Sequence, residues 1–155
     1  MPPAAQIGEA VITWMKRYGV SPYNEETHQG LIRHLVIRVN RIGEAMVTLV
    51  INGKTVPHTD ELVQALLRQK TVSVYLNINR ENTNVIFGKT FLLLYGRETL
   101  KDTLCELNFE LSPAAFFQVN PTQTEKLYGT ALAFAALKET DLLCDVYCGA
   151  GTITL

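Results

Sequence analysis

The sequence predicts an α+β domain over residues 1–111, an antiparallel sheet with helices, followed by the beginning of an α/β domain over residues 112–155. Three observations carry this reading. Apolar stripes at helical spacing open the chain and recur near residue 60, and alternating stretches are joined by short turns. At "LSPAAFFQVNP" the pattern then gives way to a helix, a short apolar run and a glycine turn.

From Ala5 to Tyr18, Ile7, Val11, Trp14 and Tyr18 fall on one helical face, and Gly19 stands where a helix takes its left-handed stop. "VSPYNEETHQG" has no periodicity and is a loop. Leu31 to Asn40 and Glu44 to Ile51, separated by "NRIG", read as an antiparallel hairpin. In "PHTDELVQALLRQ", Thr59 or Asp60 is the expected N-cap and Leu62, Val63, Leu66 and Leu67 form the apolar stripe. "TVSVYLNIN" alternates Val72, Val74, Leu76 and Ile78 with Ser73, Tyr75, Asn77 and Asn79, the pattern of a half-buried strand. Shorter strands are expected at Val85 to Phe87 and Phe91 to Leu94, and Cys105, Leu107, Phe109 and Leu111 make a further alternating face.

Beyond the boundary near Ser112, Pro113 and Pro121 bracket an irregular segment. "TQTEKLYGTALAFAALK" is a helix capped by Thr122 or Thr124, with Leu127, Ala131 and Phe134 or Ala135 on its packing side. "LLCDV" reads as a strand, and "YCGAG" turns it toward a helix starting at Thr152.

Composition narrows the function classes. The 155 residues are 47% hydrophobic and 19% charged, with 14 Lys+Arg against 15 Asp+Glu and a net charge of -1, so no general basic field announces nucleic acid. Any RNA contact has to come from a local patch. The longest apolar runs, such as "FLLLY", fall far short of the roughly 20 residues of a membrane helix. "MPPAAQIGEA" lacks the marks of a signal peptide, and the cytoplasm is the default expectation. Cys105, Cys144 and Cys148 lack disulfide-framework or metal-site spacing and read as reduced structural thiols, with no metal expected.

A glycine turn between strand and helix lets a ligand approach the backbone and presents unpaired N–H groups, which makes Gly149-Ala150-Gly151 a candidate nucleotide or adenosyl site. Ordinary tight turns share this pattern. No P-loop Lys-Ser/Thr pair follows. Arg33, His34, Arg38 and Arg41 form the densest basic cluster, and His34 and Arg38, about 13 Å apart along one strand face at ~3.3 Å per residue, suit either one RNA segment or plain solvation.

Together, "SPAAFFQVNPTQTEKLY" and "DVYCGAGT" resemble the RNA (uracil-5-)-methyltransferases, which methylate uracil C5 in RNA with S-adenosylmethionine. "YNEETHQGLIRHLVIRV" and "MVTLVINGK" are similar to the central domain of that family, so the resemblance covers nearly the whole chain. It implies that residues 112–155 begin a Rossmann-like S-adenosylmethionine-dependent domain, truncated here. It implies cofactor contacts from Gln118, Tyr147, Gly149 and Gly151, and RNA contacts from Arg33, His34 and Arg38, with ribosomal RNA favoured over transfer RNA. An amide such as Gln118 can both donate to and accept from an amino-acid moiety. Thr152 stands where some relatives carry an amide, and its expected part is to cap a helix. Asp145 either bonds the N–H groups of the turn or only closes the strand. Phe116 and Phe117 either pin the loop to the core or line the pocket, and Asn120 shapes the turn before Pro121.

In that family a cysteine thiolate adds to uracil C6 and a base removes the C5 proton. Both groups lie downstream of the glycine turn, so no catalytic residue is expected in this chain, and an iron-sulfur loop has no place in it. The chain therefore reads as an inactive piece of a larger enzyme. Its strand from Leu142 to Val146 is expected to be disordered, folded back or paired with another chain. The alternative readings are a non-catalytic RNA-binding or protein-interaction domain and a nucleotide-binding oxidoreductase fragment.

Overall fold

The computed structural model describes residues 3–152, and the chain divides into two compact units, Met1–Leu100 and Lys101–Leu155.

The first unit contains α1 (Pro3–Tyr18), β1 (Ile32–Val39), β2 (Ala45–Ile51), α2 (Thr59–Leu67), β3 (Thr71–Ile78) and β4 (Thr90–Gly96). The sheet order is β1-β2-β3-β4. β1 and β2 form the expected antiparallel hairpin, β2 and β3 run parallel, and β4 returns antiparallel to β3. Parallel neighbours need a crossover connection, and α2 supplies it. The sheet is thus mixed and not the antiparallel sheet expected, because α2 carries the chain across between β2 and β3; the α+β class itself holds for this unit. Ile7, Val11 and Trp14 of α1 and Leu62, Val63 and Leu66 of α2 pack on Val47, Leu49, Ile51, Val74 and Leu76. On the opposite face Met46, Tyr75 and Leu100 form a smaller cluster.

Three local expectations need correction. His58, in the left-handed conformation, occupies the N-cap of α2, and Thr59 instead donates its hydroxyl to Val56 O at 3.0 Å. Trp14 Nε1 donates to His58 O and the Tyr18 ring stacks on the imidazole at 3.9 Å, so packing with α1 fixes this corner. β3 is buried on both faces, with Ser73 and Asn77 inaccessible to solvent, because their polar atoms face protein rather than water. Val85 to Phe87 forms no strand, since the carbonyls of Val85 and Ile86 are taken by the Asn79 side chain.

The second unit holds β6 (Leu107–Leu111), most of β5 (Leu100–Leu104) and α3 (Pro121–Ala135). β5, which the sequence did not announce, pairs with β6 through Cys105 and Glu106, both at positive φ, as a two-residue hairpin turn of the I′ kind requires. Cys105 is therefore an exposed turn residue and not part of an apolar strand face. Leu104, Phe109, Leu111 and Tyr128 form a core on which Phe117 packs.

Asn120, rather than Thr122 or Thr124, caps α3: its side chain accepts from Gln123 N at 3.1 Å, with Pro121 at the helix start. Thr124 and Tyr128 are the buried residues of α3, whereas Leu127 and Phe134 are exposed, so the packing side differs from the apolar stripe. Leu142–Val146 is not a strand and Cys144 is exposed. A strand needs a neighbour to take its N–H and C=O groups, and neither described sheet includes this segment. The helix expected from Thr152 falls on residues outside those described; Thr152 itself lies in a turn.

Candidate functional site

In the second unit, Asp145 Oδ1 accepts from Tyr147 N at 3.2 Å and opens the glycine turn, which Gly151 N closes onto Cys148 O at 2.7 Å. Gly149 and Gly151 hold φ of 56° and 75°, the region that favours glycine. A Cβ built on Gly149 would meet only Tyr147 O at 4.0 Å, so the turn is open to close approach. Thr152 Oγ1 lies 3.0 Å from Tyr128 Oη, which ties the turn to α3. The turn is open at Gly149, while the N–H of Gly151 is already bonded within it.

The side chains do not converge in the same way. Gln118 is half-buried between the Phe109–Phe117 contact, with ring centroids 5.6 Å apart, and the Asn120 cap. Tyr147 is 95% exposed and Phe116 is 73% exposed. No hydrogen bond joins Gln118 to Tyr147 or to the turn among the described residues. Phe117 pins the segment to the core, and Phe116 is left to solvent.

In the first unit, the basic cluster separates into two roles. The β1–β2 register runs unbroken from His34↔Val50 to Arg38↔Met46, so His34 and Arg38 share the sheet face opposite α1 and α2. Burial lowers the Arg38 pKa by disfavouring its charged form, yet an arginine stays protonated at neutral pH. Arg33 sits where the register slips, and a bulge of this kind re-aims a side chain. Its side chain is only 2% exposed and its fork donates to Asn79 O at 3.1 Å, Glu81 O at 2.7 Å and Thr83 O at 3.3 Å. The Tyr23 ring lies 4.5 Å from the guanidinium, and Glu25 is 3.8 Å away. Arg33 is thus turned toward the chain's own loop.

That loop, Asn79 to Lys89 between β3 and β4, is a feature sequence reasoning missed. Asn77 Nδ2 donates to Gly88 O and Thr90 O while its Oδ1 accepts from Gly88 N. Asn79 Nδ2 donates to Val85 O and Ile86 O, and its Oδ1 accepts from Glu81 N. Gly88 passes so close to Ile78 that an added Cβ would stand 1.9 Å from Ile78 O. The signal available in "NINRENTN" was a pair of asparagines at alternate strand positions, which is unusual where strands favour branched and aromatic residues.

A groove of about 730 Å³ lies between α1 and α2, lined among others by Glu9, Trp14, Arg17, Glu61 and Arg68, with none of the expected site residues in it. Among the described residues no group of three His, Cys, Asp or Glu side chains could hold a metal ion. No described helix is long and apolar enough to cross a membrane.

No family model matches the chain. It is 41% identical over 144 residues to a protein of Enterococcus faecalis described as an uncharacterized RNA methyltransferase, covering 91% of this chain and 32% of that protein. It is equally 41% identical to a Clostridium tetani protein of the same description, covering 92% of this chain and 32% of the relative. The chain therefore spans about a third of the length of these relatives. Among solved structures, the tRNA (uracil-54, C5)-methyltransferase of Pyrococcus abyssi, determined with S-adenosyl-L-homocysteine, matches with a TM-score of 0.73. At 24% identity over 94% of this chain and 34% of that one, it shows a shared fold.

Proposed function

We infer that this chain is a stretch of an RNA methyltransferase that transfers a methyl group from S-adenosylmethionine to uracil C5, with ribosomal RNA as the substrate class. The observation that carries this reading is one local arrangement. An asparagine-capped helix follows "FFQVN", and an aspartate-opened turn then holds Gly149 and Gly151 at positive φ. Kinship with proteins described as RNA methyltransferases supports it.

In this reading residues 1–111 are the RNA-side domain and residues 112–155 begin the cofactor-binding domain. Gln118 would hold the amino-acid end of S-adenosylmethionine, Gly149 and Gly151 would let the backbone of the turn approach it closely, and Tyr147 would cover it. When bound, S-adenosylmethionine supplies an electrophilic methyl group. On the substrate, addition of a cysteine thiolate to C6 makes C5 nucleophilic; loss of the C5 proton to a base, with expulsion of the thiolate, restores the ring. Cys105, Cys144 and Cys148 are not assigned this role, which belongs to the whole enzyme. His34 and Arg38 are assigned to RNA, with phosphate contacts that position the strand. The exposed run from Leu142 to Val146 is assigned to strand pairing with a second copy when the chain stands alone.

Calorimetric titration with S-adenosylmethionine, for the wild type and Gln118→Ala, tests the cofactor reading. Saturable binding that weakens at least about tenfold in the variant is expected, as for one lost hydrogen bond to a charged group. Equal affinities would remove Gln118 from the site.

A further inference from the structure

We propose that the loop from Asn79 to Lys89 is a preorganised contact for single-stranded RNA, with Val85 and Ile86 as an apolar wedge and Arg80 and Lys89 as flanking phosphate contacts. The proposal rests on the RNA reading above and adds a surface to it.

The loop is held from inside by three side chains that expose almost nothing of themselves. Asn77 is 0% exposed, Asn79 is 2% exposed, and the Arg33 side chain is 2% exposed. Between them they bind the backbone of Asn79, Glu81, Thr83, Val85, Ile86, Gly88 and Thr90. From the neighbouring loop, His28 Nε2 stands 3.0 Å from Asn82 Nδ2. Buried amides satisfied in this way specify one conformation.

This anchoring leaves apolar groups outside: Val85 is 62% exposed and Ile86 48% exposed, although nothing prevents a loop from carrying polar residues there. Thr83 and Asn84, also exposed, offer donors and acceptors for base edges. Arg80 and Lys89 stand exposed at the two ends of the loop, and Glu81 is its sole acidic residue, so the loop carries a net positive charge. Single-stranded RNA asks for this combination of an apolar surface for unstacked bases, hydrogen-bonding groups for their edges and cations for phosphate. A loop already fixed in shape loses little entropy on binding.

The test uses the intact protein that carries this stretch and a uridine-containing single-stranded RNA oligonucleotide, read by fluorescence anisotropy. Val85→Ser with Ile86→Ser is expected to weaken RNA binding about tenfold. Both side chains face solvent, so the urea midpoint and S-adenosylmethionine affinity should match the wild type. Arg80→Gln with Lys89→Gln is expected to flatten the log–log salt dependence by about 1.4, from two lost phosphate contacts at ~0.7 each. Wild-type RNA binding with both variants unchanged would overturn the loop assignment and leave the RNA reading standing. No RNA binding by the wild type would overturn both. Unchanged RNA affinity with altered self-association in light scattering would show a protein contact instead and overturn the proposal.

Discussion

Replacing Arg33 tests whether its guanidinium builds the fold. In Arg33→Met the side chain keeps its reach and loses its fork. The bond to Asn79 O lies in a part-buried setting, and a charge-assisted bond of that kind contributes about 1.5–3 kcal/mol. The bonds to Glu81 O and Thr83 O are exposed, so water replaces much of each, at a cost of about 0.5 kcal/mol apiece. Loss of the Tyr23 ring contact at 4.5 Å adds about 0.5–1 kcal/mol. The Glu25 pair, 3.8 Å long with a carboxylate side chain 62% exposed, adds little. The expected net loss is about 3–5 kcal/mol, a urea midpoint lower by about 1–5 M for m values of ~1–3 kcal/mol/M. Arg33→Lys should recover less than half, since an ammonium cannot span three carbonyls. A loss below about 1 kcal/mol would refute the assignment and return Arg33 to the RNA face.

Other consequences can be read in the same assays. Gly88→Ala should destabilise the first unit by more than about 2 kcal/mol, because the new Cβ would stand 1.9 Å from a backbone oxygen; an unchanged midpoint would mean the loop yields freely. Asn120→Ala should cost about 1 kcal/mol through the lost cap of α3, with Asn120→Asp retaining most of it. Burial, and secondarily the charge of Glu98, raises the Tyr75 pKa, so the folded state holds that proton more tightly. The associated stability is complete below the unfolded value of about 10 and is lost as pH rises from there through the folded value. Tyr75→Phe should lose about 1 kcal/mol at neutral pH with its bond to Glu98 O, and its stability should fall less steeply above about pH 10. Leu142→Asp with Val146→Asp should reduce self-association of the isolated chain in light scattering, and an oligomeric state unmoved by both would exclude that stretch as the contact.

The sequence was legible wherever periodicity reports burial directly. The stripe of α1, the β1–β2 hairpin and the apolar alternation of β3 all follow from side chains that meet one core. It was less legible where polar side chains are buried. Asn77 and Asn79 occupy the polar half of an alternating pattern and yet face protein, so the loop they build read as a strand at Val85 to Phe87. The cap of α2 depends on Trp14 and Tyr18, 40 or more residues away in the chain, which local propensity does not report. Of the candidate site, the backbone part was legible: Asp145, Gly149 and Gly151 form the expected turn. The convergence of Gln118 with Tyr147 was not observed among the described residues, because it depends on a strand at Leu142–Val146 that has no described neighbour. Arg33 differs from His34 and Arg38 because of a register slip, which composition cannot reveal.

The central claim is methyl transfer to uracil C5, and tritium release tests it most directly. The intact protein carrying this stretch would be incubated with S-adenosylmethionine and ribosomal RNA labelled with tritium at uridine C5. The account predicts tritium release to water in step with methyl incorporation, because the C5 proton leaves in the reaction. Methyl incorporation without tritium release would place the methyl group elsewhere and contradict it.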